Sequence, residues 1–267
     1  MRRVVVCFSV AAGVAGAAAS AAAQPTPAPA EPPVDAYPVE HAERPLLLPA
    51  GAIEGGARVD VYDYAFDGGG VELYQLVPGV RYGLANAEVE ARATLGLGNS
   101  GEMIETEALQ ALALAGRLGL GERSAVGIEL QSVYPGEDFR TTVIGAMVST
   151  RRHFGGASLD LGAGAAYGLG SGETGIDTIR VHGTVTATAQ LAPAVALQAL
   201  ARQYWFDYLG DPGFGLSPAY FGQDYGVRAL FAATPALDVI AGMDVLSTGN
   251  DSAARLYTLG VAARRVP

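Results

Sequence analysis

Most of the chain after residue 51 alternates an apolar residue with a polar or small one. In the segment 87–95 the odd positions are Ala, Val, Ala, Ala and Leu, and the even positions are Glu, Glu, Arg and Thr. The segments 159–165 and 225–229 repeat this pattern with Asp, Gly and Arg between the apolar residues. A helix with one buried face places its apolar residues three and four apart, whereas a half-buried strand has a period of two. The pattern therefore predicts an all-β fold.

About twelve segments show this alternation, and turn residues separate them. Their predicted spans are 52–64, 70–83, 87–97, 104–118, 124–134, 140–154, 157–169, 176–190, 195–207, 220–233, 237–247 and 253–265. Most reach the roughly 9–11 residues that a tilted membrane-spanning strand needs. An even strand number is usual in bacterial single-chain barrels. We therefore predict that residues 51–267 form a transmembrane antiparallel up-and-down β-barrel.

The composition favours a membrane barrel over a soluble one. Half of the residues are hydrophobic and only 16% are charged. No segment after the N-terminal stretch approaches the roughly 18 uninterrupted apolar residues of a membrane helix. A soluble β-sandwich or a lipocalin-like barrel also alternates, but it directs polar residues outward and would have a lower apolar content.

Short and long connections alternate along the chain. The tight ones lie near 83–86, 119–123, 154–156, 191–194 and 234–236. The more polar and mostly longer ones lie near 98–102, 135–138, 170–175, 208–219 and 247–252. Outer-membrane barrels have short periplasmic turns and longer outer loops. The first strand is therefore expected to begin on the periplasmic side.

The N-terminal 50 residues predict export followed by a linker. Residues 1–23 contain Arg2 and Arg3, an apolar stretch and an Ala-x-Ala cleavage pattern, which is typical of a signal peptide. The alternative is an N-terminal membrane anchor, for which the apolar run is short. Residues 24–50 are rich in Pro and Ala and predict a periplasmic linker, with a solvated His41 and an ordered lead-in from Arg44. The expected location is the cell outer membrane.

Composition and motifs argue against several classes of function. The single cysteine, Cys7, lies in the predicted signal peptide, so the mature chain has no disulfide, thiol nucleophile or Cys-ligated zinc. The net charge of −10 argues against a nucleic-acid partner. The His and carboxylate residues lack metal-ligand spacing, and Gly68–Gly70 lacks the Lys and Ser or Thr of a phosphate loop. We therefore expect no cofactor, no metal and no enzymatic activity.

One catalytic alternative concerns His182 and Thr184, which share a strand face. With a nearby carboxylate they could resemble the histidine and hydroxyl of an outer-membrane lipid hydrolase. No serine has the matching spacing, and Thr186 and Thr188 continue the same row. A polar strand face is the simpler interpretation.

The face opposite the apolar one is predicted to line the lumen. Its candidate residues are Arg58, Asp60, Arg81, Glu88, Glu90, Arg92, Arg117, Glu129, Asp160, Arg180, His182, Arg202, Asp224, Arg228 and Asp244. One interpretation is a hydrated pore whose charges set solute preference. The other is a lumen filled by Arg–carboxylate pairs. Eight-stranded barrels are filled and 16-stranded ones are open, so a barrel of about twelve strands falls between the two cases.

Aromatic residues concentrate near strand ends and predict an interfacial girdle. Its candidate members are Tyr62, Tyr134, Tyr167, Trp205, Tyr220 and Tyr257. Tyr and Trp favour the membrane–water interface because their rings have an apolar body and a polar tip. For the aromatic group between residues 204 and 221, a carbohydrate- or apolar-solute-binding patch is the alternative.

Two motifs resemble a group of uncharacterised Gram-negative outer-membrane β-barrels. The first is Arg-Pro-Leu-x-Leu-Pro, here Arg44 to Pro49, and the second is Gly-x-Arg-Tyr-Gly-Leu followed by Glu, here Gly79 to Glu88. The resemblance implies a porin-like or transporter-like protein with no known solute.

Together with the lumen chemistry, this resemblance favours a passive channel or solute-specific facilitator with a charged lumen. The alternative is a closed barrel with a structural or docking role. The expected partners are outer-membrane lipid, a small solute and, during insertion, the barrel-assembly machinery.

Overall fold

The computed structural model describes residues 37–66, 69–99, 109–136, 139–171, 177–209, 219–247 and 253–267. Twelve strands form the sheet: β1 Ile53–Phe66, β2 Gly69–Gly83, β3 Ala87–Asn99, β4 Leu109–Gly119, β5 Ser124–Gly136, β6 Phe139–His153, β7 Ala157–Ser171, β8 Asp177–Ala192, β9 Val195–Leu209, β10 Ala219–Thr234, β11 Leu237–Ser247 and β12 Ala253–Arg265. A short 3-10 helix, His41–Glu43, precedes them. The predicted signal peptide and the first part of the predicted linker lie outside the described residues.

The strands form one closed antiparallel barrel. Each strand pairs with its neighbours in the chain, and β1 pairs with β12 from Ile53 opposite Arg265 to Tyr64 opposite Ala254. Closure leaves no unpaired strand edge, which a sheet surrounded by lipid requires. The predicted up-and-down barrel is therefore confirmed, with twelve strands. No helix among the described residues is long and apolar enough to cross a membrane.

Tight turns join the strands at one end of the barrel, which we call the turn end. The turns comprise residues 84–86, 120–123, 154–156, 193–194 and 235–236. Gly121 and Gly155 have φ angles of +81° and +55°, a region that favours glycine. The opposite ends of the strands, whose connecting residues lie outside the described ranges, are called here the loop end. The tight turns therefore fall at one end of the barrel, as the sequence predicted.

The two faces of the barrel differ as the period-two pattern predicts. Large apolar side chains stand exposed on the outer face, among them Val80, Leu114, Val148, Val227 and Leu259. Paired residues in neighbouring strands lie on the same face of the sheet. The strand pairing therefore identifies the inward residues of each strand from those of its neighbour. The inner face holds most of the ionisable residues of the strands, together with buried alanines and glycines that leave room for them.

Candidate functional site

All fifteen predicted lumen residues lie on the inner face of the barrel. Several of them lie directly opposite one another on neighbouring strands: Arg81 opposite Glu90, Glu88 opposite Arg117, and Arg202 opposite Asp224. The alternation around these fifteen residues was regular enough for the sequence to assign them to the inner face.

Glu88 is the centre of an ion-pair cluster at the turn end. Glu88 is only 1% exposed. The guanidinium of Arg81 lies 2.6 Å from its carboxylate, and Arg117 pairs with the same carboxylate. Arg81 continues to Glu54 at 3.0 Å. The backbone N–H of Leu48, which precedes the barrel, donates to Glu88 Oε2 at 2.9 Å. Buried charge is tolerated here because each carboxylate oxygen has at least one partner.

A second cluster, around Asp238, continues the first. Arg264 joins the two, since it reaches Glu54 at 3.0 Å and also pairs with Asp238. Arg44, from the segment before β1, makes a two-pronged contact with Asp238 through Nη1–Oδ2 at 2.5 Å and Nη2–Oδ1 at 2.9 Å. The two clusters together form a continuous band of ion pairs along six neighbouring strands, β4 through β1 to β12 and β11.

Residues 37–49 lie across the turn end of the lumen, and we call them the plug segment. Besides the contacts to β3 and β11, the ring Nδ1 of His153 in β6 donates to the carbonyl of Ala42 at 2.7 Å. The Ala42 N–H donates to Gln190 Oε1 in β8 at 3.2 Å. Arg151 donates to the carbonyls of Arg44 and Pro45 at 2.8 and 3.1 Å. Since β3, β6, β8 and β11 lie around the whole circumference, the segment contacts every side of the barrel.

Arg44 also organises the plug segment itself. Arg44 is 8% exposed, and its guanidinium donates to the carbonyls of Pro38 and Val39, both at 3.1 Å. The ring of Tyr37 lies 5.7 Å from the Arg44 guanidinium carbon and 5.1 Å from that of Arg264, in cation–π geometry. Burial raises the pKa of Tyr37, against the effect of these two cations. Arg44, the first residue of the Arg-Pro-Leu-x-Leu-Pro motif, therefore holds the plug segment to the barrel wall from a buried position.

His41 is buried rather than solvated as the sequence suggested. Its side chain is 7% exposed and its Nε2 lies 3.6 Å from Asp238. Burial, together with the charge of Arg44, lowers its pKa to about 4, although Asp238 acts in the opposite direction. The composition of this segment indicated a solvated linker because prolines and alanines cannot form a core of their own. The barrel wall supplies the partners instead.

The two motifs behind the resemblance contact each other. Gly83, inside the second motif, lies so close to the carbonyl of Pro49, at the end of the first, that a Cβ atom would collide with it. Gly51 N–H donates to the Gly83 carbonyl at 2.8 Å. Arg81 and Glu88, the charged residues of the second motif, pair with each other. The motifs therefore encode the junction between the plug segment and the first strands.

Further ion pairs line the lumen toward the loop end. Arg58 lies 2.8 Å from Asp60, which also accepts a hydrogen bond from Thr258 at 2.9 Å. Arg228 lies 2.9 Å from Asp244. Arg92 contacts both Glu90 and Glu129 at 3.0 Å. At the turn end, Arg151 contacts Asp160 at 2.5 Å.

Five charged residues of the turn end were not among the predicted lumen residues: Arg44, Glu54, Arg151, Asp238 and Arg264. Four of them continue the inward period of their strands. Asp238, for example, is six residues before the predicted lumen residue Asp244 in β11. Extending the alternation to each strand end would have found these four, whereas Arg44 precedes the first strand and gives no such signal.

The aromatic candidates divide between the two faces. Tyr167, Trp205 and Tyr257 lie on the outer face, where a girdle requires them. Tyr62 lies instead on the inner face beside Tyr64, with ring centroids 6.0 Å apart, because it shares the parity of Asp60. Its placement in the girdle was therefore wrong. The side chains of Tyr134 and Tyr220 lie outside the described residues.

The hydrolase alternative gains no support from the geometry. His182 and Thr184 both face the lumen, but the buried Nδ1 atom of His182 has no hydrogen-bond partner among the described residues. A histidine base in a catalytic triad is oriented through one ring nitrogen and contacts the nucleophile through the other. That orienting bond is not formed within the described part of the chain.

The fold is that of bacterial outer-membrane β-barrels. An outer-membrane channel of Pseudomonas putida F1 superposes with a TM-score of 0.56 at 14% identity, covering 90% of this chain and 100% of the other. The NanC porin superposes with a TM-score of 0.51 at 9% identity, over 78% and 98%. The translocator domain of the autotransporter NalP from Neisseria meningitidis gives 0.50 at 13%, over 79% and 87%. The sequence matches no protein-family model and no curated protein.

Proposed function

We propose that the protein is a passive channel or solute-specific facilitator of the outer membrane, with the plug segment closing its periplasmic end. The observation that carries the proposal is the exposure of charged side chains inside the barrel. Those of Arg58 and Arg202 are 45% and 46% exposed although both point inward. An ionised group without close packing needs water around it. A hydrated inner face is what a solute pathway requires.

The orientation follows from the connections. Short turns are periplasmic in outer-membrane barrels, so the turn end and the plug segment face the periplasm. The apolar outer face then lies in the lipid.

A closed barrel with a structural or docking role is the second candidate. The observation in its favour is the plug segment, which contacts four sides of the wall and adds a buried Arg44–Asp238 pair. The two candidates differ in whether this segment can leave the turn end.

Swelling of liposomes that contain the folded protein tests the channel. We expect neutral sugars of small size to enter faster than into liposomes that hold the heat-denatured protein, because a hydrated lumen admits small polar solutes. The rate should fall as sugar size increases. An intact barrel that admits no sugar, in the wild type and in an Arg44→Ala variant alike, would contradict the proposal and favour the closed barrel.

We expect acidification to release the plug segment through His41. The docked histidine has a pKa of about 4, against about 6.5 in water, so the free segment binds the proton more readily. The contribution of His41 to docking is therefore fully present above pH 6.5 and is lost as the pH falls from 6.5 toward 4.

Conductance recorded between pH 7 and pH 5 measures this effect. The wild type should conduct more at pH 5, and His41→Gln, which cannot take the proton, should have a flatter profile. An identical pH profile for the two proteins would show that His41 does not control docking.

A further inference from the structure

Two luminal arginines differ from all the others in their pairing. Eight arginines of the lumen and plug segment have a carboxylate oxygen within 3.0 Å: Arg44, Arg58, Arg81, Arg92, Arg117, Arg151, Arg228 and Arg264. Arg202 has its nearest carboxylate, Asp224, at 3.5 Å. Arg180 forms no ion pair with any described residue, and it is exposed. Within the described ranges, the arginines at this one place on the wall are therefore less closely paired than the others.

Arg180 and Arg202 belong to one patch on β8, β9 and β10, toward the loop end. His182 lies between them, since it is two residues from Arg180 and its neighbour Thr184 pairs with Arg202. Both guanidinium groups lie within electrostatic range of the His182 ring and of Asp224. The patch therefore joins two cations and an imidazole on adjacent strands.

Glycines of β7 make room for two side chains of this patch. The His182 ring lies over Gly164, where a Cβ atom would be 2.7 Å from its Cε1 and 2.9 Å from its Nε2. The hydroxyl of Thr184 lies in the same way over Gly162. This placement leaves His182 Nδ1 buried and without a partner among the described residues. A buried polar atom without a partner is costly, and a bound ligand or water can satisfy it.

We propose that Arg180, Arg202 and His182 bind a small organic oxyanion, a carboxylate or a phosphate, on the lumen wall. The guanidinium fork matches the two oxygens of either group, and such charge-assisted bonds are the strongest of their kind. His182 Nδ1 supplies a third contact. If the protein is the proposed channel, this site defines the class of solute that the channel accepts. The biological role of the site rests on that proposed function, but binding of the oxyanion does not require transport.

Calorimetric titration of the folded protein in detergent micelles tests the site. The probes are acetate, succinate and inorganic phosphate, with chloride as the reference ion. We expect succinate or phosphate to bind more tightly than chloride, and Arg180→Gln or Arg202→Gln to weaken that binding about tenfold or more, the loss expected for one charge-assisted bond. The stronger of the two probes identifies the oxyanion class.

Arg58→Gln is the matched control. Arg58 faces the same lumen, and its side chain is nearly as exposed as that of Arg202. The substitution removes the same charge, but Arg58 already forms an ion pair with Asp60 at 2.8 Å. The control should change binding by less than about twofold, since its arginine is already paired. A heat-modifiable shift on gels verifies that every variant is folded.

Three results would overturn the site: equal weakening in Arg58→Gln, unchanged binding in both Arg180→Gln and Arg202→Gln, or no oxyanion binding by the wild type. These outcomes are separate from those of the channel test. A protein that binds succinate but admits no solute into liposomes keeps the site and loses the channel. One that admits solutes without binding keeps the channel and loses the site.

Discussion

Replacing Arg44 with alanine is expected to raise the conducting fraction of the channel by about tenfold or more. The substitution removes both contacts to Asp238, at 2.5 and 2.9 Å, and the two bonds that hold Pro38 and Val39. A hydrogen bond to a charged group contributes about 1.5–3 kcal/mol, and Asp238 keeps Arg264 as a partner in the variant. Each 1.4 kcal/mol changes an equilibrium about tenfold, so docking of the plug segment should weaken by at least one power of ten.

Single-channel recordings of Arg44→Ala in planar bilayers measure this change as longer or more frequent openings. Glu43→Ala is the control, because Glu43 is adjacent to Arg44 in the chain and is exposed, so this substitution removes a charge without breaking a buried ion pair. It should behave like the wild type. If Arg44→Ala gives the same currents as Glu43→Ala while the barrel remains folded, the plug segment does not limit conduction.

Glu88→Gln is expected to lower the free energy of unfolding by about 3 kcal/mol or more, the cost of leaving buried cations without their counter-charge. Arg117 loses its carboxylate partner in this variant, and Arg81 keeps only Glu54. The change also weakens the bond from the Leu48 N–H, which ties the plug segment to β3. Urea titration in micelles, or the temperature of the heat-modifiable transition, gives the measurement.

Glu129→Gln is the control for that experiment. Its side chain is 26% exposed, and its partner Arg92 retains Glu90 at 3.0 Å. A partly exposed pair with a remaining partner should cost less than about 1 kcal/mol. Equal losses in the two variants would mean that the Glu88 cluster has no special role in stability.

The barrel could be predicted because each strand repeats the same local rule. The period of two assigns each side chain to a face, and turn residues mark the strand ends. The span predicted for the third strand was 87–97 and the observed strand is Ala87–Asn99. Tyr62 was misassigned because an aromatic residue near a strand end resembles a girdle residue. Tyr62 follows the inward residue Asp60 by two positions, and this spacing places it on the inner face.

The plug segment could not be predicted in this way. It has no alternation, and its contacts depend on side chains that lie between 40 and almost 200 residues away in the chain, such as Glu88 and Asp238. Its prolines indicated a solvated linker, since they prevent regular backbone pairing. The same prolines leave an irregular backbone whose carbonyls Arg44, Arg151 and His153 can satisfy.

Pairing distances, not residue types, distinguish the candidate oxyanion site. Arg180, Arg202 and Arg228 are equivalent in the sequence, as inward residues of three neighbouring strands. Only the structure shows that Arg228 lies 2.9 Å from Asp244, whereas Arg202 has a longer contact. The register decides which luminal arginine lacks a close carboxylate among the described residues.

The most direct test of a lumen closed by the plug segment is a reversible cross-link. Glu43→Cys and His153→Cys place two exposed thiols at neighbouring points, since His153 contacts the carbonyl of Ala42, and Cys7 lies in the predicted signal peptide. A reducible bis-thiosulfonate reagent joins them, and single-channel currents are recorded before and after reduction. We predict silence while the link is intact and openings in the same bilayer once it is reduced. Equal currents in both states would contradict the account.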